Sequence, residues 1–236
     1  MKLYAISDLH GNLDGLDPQG ADLVIIAGDF TIMKGWGIWH LNDQVKWIKK
    51  KFLPWCAKYS EIQFCVIPGN HDLFAEHQDE LHDRVVWPSN VHFIVNGYVE
   101  VCGLRIAGAS WIPYINGAWA YECDTSATMK YRFAWIPSGL DILITHSPPY
   151  FANSNIDVSL QTHSLHFGSP ELAEVIRMQR PRYVFCGHIH TGDHFPLVLP
   201  HHDSTTTSIY NVSRLNEDYE IAYEPLVLEI KAKERK

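Results

Sequence analysis

Short apolar runs that end in polar or glycine residues recur along the chain, and they constrain its fold more than any other feature. Each run is long enough for a buried β-strand and too short for an ordinary helix. Strands that are apolar on both faces belong to sheets covered on both sides. The pattern predicts such strands over residues 3–7, 23–27, 62–67, 91–95, 142–145 and 183–186.

Two segments carry the signals of helices that could cover these sheets. Apolar residues spaced by four and three predict an amphipathic helix over residues 41–55, with lysines on its opposite face. Pro54 is expected to kink or end this helix. A second helix is predicted from Ser169, which can cap it, through Pro170 at its first position to Gln179.

The remaining predicted strands complete an α/β (α+β) fold. Residues 98–107 predict a hairpin that turns at Cys102-Gly103. Because strands and helices alternate early and strands dominate late, we expect two packed mixed β-sheets flanked by helices. The late strands are predicted over residues 196–199, 205–210 and 226–230.

The length of 236 residues is near the upper limit for one hydrophobic core, which predicts a single domain over residues 1–236. Two long stretches, residues 110–139 and 147–168, are predicted as loops. Loops of this length are more often functional than idle.

Composition restricts the partners. Acidic residues outnumber basic ones 27 to 19, so no global positive field favours a nucleic acid or an anionic membrane. Asp8 interrupts the first apolar run before a signal region could develop, and no apolar stretch is long enough for a membrane span. The five cysteines lack a C-x-x-C pair, which predicts reduced thiols and an intracellular, cytoplasmic protein. The oligomeric state stays open.

Residues able to bind metal follow five of the predicted strands. Open α/β sheets place ligand sites at the carboxyl ends of their strands, so we expect these residues to converge on one cleft. Asp-x-His and His-x-His also fit an extended strand, in which every second residue points to the same side. The residues are Asp8, His10, Asp29, Asn70, His71, Asp72, His146, His188 and His190.

These motifs differ in specificity. Asp8 or Asp29 alone is better explained as a turn or a helix cap, and the Asn-His-Asp sequence could also form a turn without any chemistry. Gly187-His188-Ile189-His190 is stronger, because two imidazoles placed side by side gain most by binding metals. The ordered set, with each piece after a strand, is specific.

The ordered set resembles the signature of the calcineurin-like metallophosphoesterase superfamily: D-x-H, GD, GNH[DE], H and GHxH. The resemblance implies a four-layer α-β-β-α sandwich and two metal ions that share Asp29. The ligands would be Asp8, His10, Asp29 and His190 for one metal, and Asp29, Asn70, His146 and His188 for the other.

The charge balance of such a site supports phosphate binding independently of the resemblance. Two divalent cations with two aspartates would leave a charge of about +2 in a protein of net charge −8. This is the local positive charge that a phosphate requires, and a metal-bridging hydroxide could then attack phosphorus in line. Mixed imidazole, amide and carboxylate ligands favour Mn, Fe, Zn, Co or Ni over Ca.

His71 and Asp72 are the predicted catalytic residues, and the resemblance implies that His71 donates to the phosphate or protonates the leaving group. Asp72 could orient His71 and raise its pKa, or it could merely start a helix. The chain lacks the D-R-G continuation of protein Ser/Thr phosphatases after Asp29. We therefore expect a small phosphoester substrate, with cyclic nucleotides and other small phosphodiesters first and phosphomonoesters second.

Two alternatives stay open at this stage. A nuclease of the same superfamily would require a basic track for the strand, which the acidic composition disfavours. A non-catalytic binding scaffold would be expected to have lost ligands, whereas every signature position is present here.

Several residues are predicted to contact the substrate. Asn70 and His71 are expected to contact substrate as well as to serve the roles above. Nine of the fourteen histidines have no assigned role, and most are expected in loops or on exposed faces. Further cleft-lining candidates are Trp111, Tyr150, His166 and His194, although aromatic residues of this kind more often serve core packing.

Overall fold

The computed structural model describes residues 1–33, 40–77, 84–152, 154–161 and 165–231. The strands of the described residues are β1 (Lys2–Ile6), β2 (Leu23–Ala27), β3 (Gln63–Ile67), β4 (Val91–Phe93), β5 (Gly97–Val101), β6 (Leu104–Ala109), β7 (Ile112–Pro113), β8 (Glu122–Cys123), β9 (Ile142–Thr145), β10 (Leu160–Gln161), β11 (Leu165–His166), β12 (Tyr183–Cys186), β13 (Leu197–Pro200), β14 (Thr206–Asn211) and β15 (Leu226–Glu229). The α-helices are α1 (Leu41–Trp47), α2 (Leu53–Lys58), α3 (Ser126–Phe133) and α4 (Pro170–Gln179).

Two large mixed sheets form the centre of the fold. The first has the order β15-β1-β2-β3-β4, in which β1 to β4 are parallel and β15 is antiparallel. The second has the order β13-β14-β12-β9-β6-β5, with β14, β12, β9 and β6 parallel. The hairpin expected over residues 98–107 forms its edge as β5 and β6. All six early strands and all three late strands were thus predicted within a few residues of their observed bounds.

The side chains of each strand divide between two hydrophobic layers. Leu3 and Ala5 of β1 lie in the cluster between the two sheets, whereas Tyr4 and Ile6 lie in a cluster with apolar residues of α1. The second sheet repeats this division, and its outer face packs against α3 and α4. The fold is therefore the expected sandwich of two mixed sheets flanked by helices.

The helical segment after β2 runs past Pro54, so the expectation that Pro54 could end it is wrong. Between α1 and α2 lies a π-helical turn, Ile48–Phe52, and the amide of Leu53 donates to the carbonyl of Ile48. Pro54 stands in the first turn of α2, where its missing N–H is tolerated. The wider π turn accommodates the hydrogen bond that Pro54 cannot donate. The apolar side chains before and after the turn therefore still face the core.

The stretch 110–139, predicted as a loop, contains strands β7 and β8 and helix α3. Thr125 caps α3 by accepting a hydrogen bond from the amide of Thr128. Only Met129 and Phe133 of this helix are buried, and two apolar residues four apart give too weak a period to detect. Helix α4 was predicted correctly, with Ser169 accepting from the amide of Leu172.

Two composition-based expectations can be compared with the structure. All five cysteines lie in the described part of the chain and are free thiols. None of the helices in the described ranges is both long enough and apolar enough to cross a bilayer. The single domain over residues 1–236 stays a prediction.

Candidate metal centre

Loops that follow parallel strands bring the predicted ligands to one edge of the two sheets. The loops after β1, β2 and β3 meet those after β9 and β12. The expected reason for the Asp-x-His spacing is wrong, because Asp8 and His10 are not extended: their φ angles are 54° and 42°. Tight left-handed turns, rather than strand alternation, direct these side chains inward.

Asp29 lies at the middle of the cluster and is almost fully buried. Its Oδ2 atom is 3.3 Å from Nε2 of His146 and 3.9 Å from Nε2 of both His10 and His71. Its Oδ1 atom accepts a hydrogen bond of 2.8 Å from the amide of His71. Although burial opposes ionisation, His146 and His71 hold the pKa of Asp29 well below its usual range. One carboxylate therefore faces three imidazoles.

Asp8 forms a second carboxylate–imidazole group beside the first. Its Oδ1 atom is 3.4 Å from Nε2 of His190, and Ser213 Oγ donates to Oδ2 at 2.8 Å. The amide of His188 donates to both oxygens. Burial opposes ionisation here too, but His190 lowers the pKa of Asp8 below its usual value. Asp8 is thus a buried anion held from several directions.

Backbone carbonyls fix the orientation of two imidazoles. The Nδ1 atoms of His146 and His190 lie 2.9 Å from the carbonyl oxygens of Ala27 and Asn216. In the neutral ring with Nδ1 donating to a carbonyl, the lone pair is on Nε2, which points at the carboxylates. Metal-binding histidines are commonly oriented by this arrangement. Both side chains are therefore prepared to act as ligands through Nε2.

The donor set fits divalent transition metals. Both ring nitrogens of His10 are buried and have no hydrogen-bond partner among the described residues, an arrangement that costs stability unless a ligand satisfies them. Asn70 adds an amide oxygen 2.9 Å from Nε2 of His146. Three sets of potential ligand atoms lie within 4.8 Å of one another: Asp8, His10 and His190; His10, Asp29 and His71; and Asp29, His146 and His188.

The ring of His71 contacts two aromatic rings and the sulfur of a methionine. Its ring packs against Trp119 at a tilt of 31° with centroids 4.2 Å apart, and it meets the ring of His10 edge-on at 4.7 Å. Its Nδ1 atom lies 2.8 Å from Sδ of Met33. Burial lowers the pKa of His71, although Asp29 opposes this effect. The expected increase in the pKa of His71 is therefore not found.

Asp72 does not orient His71. Its carboxylate accepts hydrogen bonds from the amides of Gly69, Phe30 and Thr31, and from the hydroxyl of Thr31. These bonds tie the loop after β2 to the loop after β3. Asp72 precedes the short 3-10 turn Leu73–Ala75 without capping it through its side chain. Its observed role is to connect the two loops that carry Asp29 and Asn70.

A cleft of about 550 Å³ opens above His10 and His71. Most of its wall comes from loop residues that belong to none of the sequence motifs. Trp119 lies in the stretch expected to be a loop, and Tyr219 lies beyond the last motif. The described lining residues are His10, Asn12, Met33, His71, Trp119, Leu215 and Tyr219.

The predicted substrate contacts Trp111, Tyr150 and His166 are not among the described lining residues of this cleft. Trp111 packs beneath the guanidinium of Arg132, 4.0 Å from the ring centroid. Tyr150 packs against the ring of His166 at 4.8 Å, and His166 pairs with Asp157. Their roles as substrate contacts stay predictions.

His194 lies behind the cluster. Its Nε2 atom is 3.2 Å from the carbonyl oxygen of His190, and its ring stacks on Tyr223 with centroids 3.5 Å apart. It is also absent from the described cleft lining, so its contact with substrate stays a prediction. His82 and His163, two of the unassigned histidines, lie outside the described residues.

The fold and the clustered carboxylates and imidazoles define a metal-binding α/β sandwich protein. A family model described as calcineurin-like phosphoesterase matches residues 1–192, and the chain belongs to that family. The protein is therefore a metallophosphoesterase, a hydrolase of phosphoester bonds. The family predicted from the motifs is confirmed.

Individual relatives are more distant. The chain is 28% identical to "Metallophosphoesterase domain-containing protein 1" of Homo sapiens, over 97% of this chain and 71% of the relative. It is 24% identical to "Lariat debranching enzyme" of Drosophila melanogaster, over 83% of this chain and 42% of that enzyme. A solved structure with 14% identity covers 89% of both chains with a TM-score of 0.59, which shows the shared fold.

Proposed function

We propose that this metallophosphoesterase hydrolyses small phosphodiesters, with cyclic nucleotides as the leading substrates, at a dinuclear metal centre. The observation that carries this proposal is the convergence of two buried aspartates, Asp8 and Asp29, with five imidazoles. A buried set of this composition is costly without a cation to satisfy it. Phosphomonoesters are the second candidate substrates.

Asp29 would serve both metals in this proposal. Asp8, His10, Asp29 and His190 would hold one metal, and Asp29, Asn70, His146 and His188 would hold the other. Divalent ions at such a site supply the Lewis-acid charge that polarises a phosphoester and activates water for attack. The unpartnered nitrogens of His10 and the backbone-oriented rings of His146 and His190 support this assignment.

His71 is the proposed catalytic side chain. It borders the cleft, its amide is anchored on Asp29, and its ring is restrained by Trp119. A ring nitrogen in this position can donate a hydrogen bond to a phosphate oxygen or to the leaving oxygen. Asp72 contributes indirectly, because it connects the loops that present His71 and Asp29.

The size and lining of the cleft favour a small substrate. Its volume of about 550 Å³ and its side chains Asn12, Met33, Trp119 and Tyr219 suit a compact organic phosphate. The formal net charge of −8 disfavours binding of a long polyanion such as a nucleic acid strand. We therefore place small phosphodiesters ahead of nucleic acids.

The test combines metal analysis with a substrate panel. Protein purified without chelator and supplied with manganese is assayed on an aryl phosphodiester, an aryl phosphomonoester, and 2′,3′- and 3′,5′-cyclic nucleotides. We expect about two metal ions per chain, an estimate taken from two-metal hydrolases, and the highest turnover on a diester. Asp29→Ala and His188→Ala should lose metal and activity, whereas the exposed-residue control Asp14→Ala should retain both.

His71→Ala separates catalysis from metal binding. We expect it to retain metal and to lose roughly 10²-fold or more in turnover, the usual contribution of a positioned acid or base. His92→Ala is the control, because His92 is on strand β4 and contacts Gln63. Full activity in Asp29→Ala would refute the metal-centre mechanism, and full activity in His71→Ala would remove the catalytic role of His71.

A further inference from the structure

Two aromatic rings border the cleft above the proposed metal ligands. Tyr219 meets His10 edge-on with centroids 4.8 Å apart and His190 at 5.8 Å. Trp119 borders the His71 side of the same cleft. Tyr219 is 54% exposed and lines the cleft, so its side chain is accessible to a molecule there.

The loop that carries Tyr219 is braced internally. The side-chain oxygen of Asn216 accepts hydrogen bonds from the amides of Asp218 and Glu220, and the amide of Tyr219 donates to the carbonyl of Asn216. A β-bridge between Leu215 and Ile221 closes the loop at its base.

Two further features show that the loop holds Tyr219 in place over the cluster. The carbonyl oxygen of Asn216 also lies within hydrogen-bond distance of Nδ1 of His190, and this contact joins the loop to a proposed metal ligand. Tyr219 itself has a φ of 61°, a left-handed conformation that costs energy for a residue with a side chain. A strained and exposed tyrosine at this position contributes little to the hydrophobic core.

We propose that Tyr219 is a specificity-determining residue that packs against a planar aromatic ring carried by the phosphoester, with Trp119 as the second wall. This inference rests on the proposed function, because it places the phosphate over the metal ligands and the ring between Tyr219 and Trp119. Aromatic faces attract any planar ring, so a nucleobase and a simple aryl group share the chemistry required.

The test measures binding, so that it does not depend on turnover. Manganese-loaded protein is titrated calorimetrically with AMP against ribose 5-phosphate, and with phenyl phosphate against methyl phosphate. The first pair tests a nucleobase and the second tests an aryl ring, while the phosphate is common to all four. We expect the wild type to prefer the ring-bearing member of at least one pair.

Tyr219→Ala should weaken binding of the preferred ring-bearing ligand by about 5- to 150-fold, the range for lost base stacking. Binding of its ringless partner should change less than about 2-fold, which is near the spread expected of neutral contacts. Tyr219→Phe should retain the preference. Tyr114→Ala is the matched control, because Tyr114 is 56% exposed but lines a separate depression.

The possible failures are distinguishable. If Tyr219→Ala weakens both members of a pair equally, or the wild type has no ring preference in either pair, the proposal is wrong. If the wild type prefers the ring and Tyr219→Ala abolishes that preference, but no phosphoester is hydrolysed, the proposed substrate class fails and the ring subsite stands. If the protein hydrolyses a phosphoester but has no ring preference, the proposed function stands and the ring subsite fails.

Discussion

Gly69 provides a sharp test of how tightly the site is built. A Cβ atom added at Gly69 would lie 2.2 Å from Oδ1 of Asp29, 2.5 Å from the amide nitrogen of Asp29 and 2.7 Å from Cε1 of His146. Real Cβ atoms essentially never approach a heavy atom closer than 3.0 Å, so the shortest contact falls short by 0.8 Å. Because one obstacle is backbone, a side-chain rotation cannot relieve the clash. Gly69→Ala must therefore displace Asp29.

The magnitude follows from the cost of overpacking, which is about 1–3 kcal/mol in a well-packed interior. For a chain of this length each kcal/mol lowers the Tm by about 2–4 °C, so the metal-free variant should melt roughly 2–12 °C below the wild type. Displacement of the proposed bridging ligand should also weaken metal binding by at least the roughly 10–100-fold that is typical of disturbed supporting residues.

The assay compares Gly69→Ala with Gly97→Ala. A Cβ at Gly97 has its nearest neighbour at 3.9 Å, an ordinary contact, and Gly97 lies in a strand where alanine is tolerated. Thermal melts with chelator measure the steric cost, and calorimetric titration with manganese measures affinity. If Gly69→Ala melts and binds manganese as Gly97→Ala does, the close contacts around Asp29 do not determine the site and the reasoning is refuted.

Four further outcomes are expected. Ser213→Ala, which removes the hydroxyl that donates to Asp8, should weaken manganese binding by about 10–100-fold in a titration, whereas Ser60→Ala on the surface should not. Ser169→Ala should lower the free energy of unfolding by about 0.5–2 kcal/mol in urea, because it removes the α4 cap. Native protein should react with a thiol reagent at Cys102 alone, because Cys102 is exposed whereas the other four cysteines are buried; a second reactive thiol per chain contradicts this. Without metal, His10→Gly should be more stable to urea than His10→Ala by about 1 kcal/mol, because His10 has a positive φ; equal stability would show that this strain is negligible.

The proposed ligands could be predicted from the sequence because parallel strands align their carboxyl ends. Each motif is short, but the strand before it is recognisable from composition alone, as in the run that precedes Asp29. Once Asp8, Asp29 and His188 are assigned to strand ends, the topology brings them together without any knowledge of loop conformation. The fold class was predictable for the same reason.

The rest of the site depends on contacts that no local pattern encodes. The proximity of Asp72 to His71 in sequence suggested an interaction, yet the carboxylate of Asp72 turns to amides that are about 40 residues away along the chain. Tyr219 enters the cleft from a loop whose conformation depends on Asn216 and on a bond to His190. Such positions follow from tertiary structure, which a single sequence does not reveal.

Backbone strain gives a separate reason to regard this cluster as the functional centre. Among the described residues, ten non-glycine residues have positive φ, and four of them are Asp8, His10, Asp29 and His188. Each such conformation costs on the order of 1–2 kcal/mol for a residue with a side chain, and glycine would relieve it. A sequence that served stability alone would therefore place glycine at these turns. Carboxylates and imidazoles occupy them instead, and all four point to one buried cluster, so chemistry rather than folding accounts for these residues.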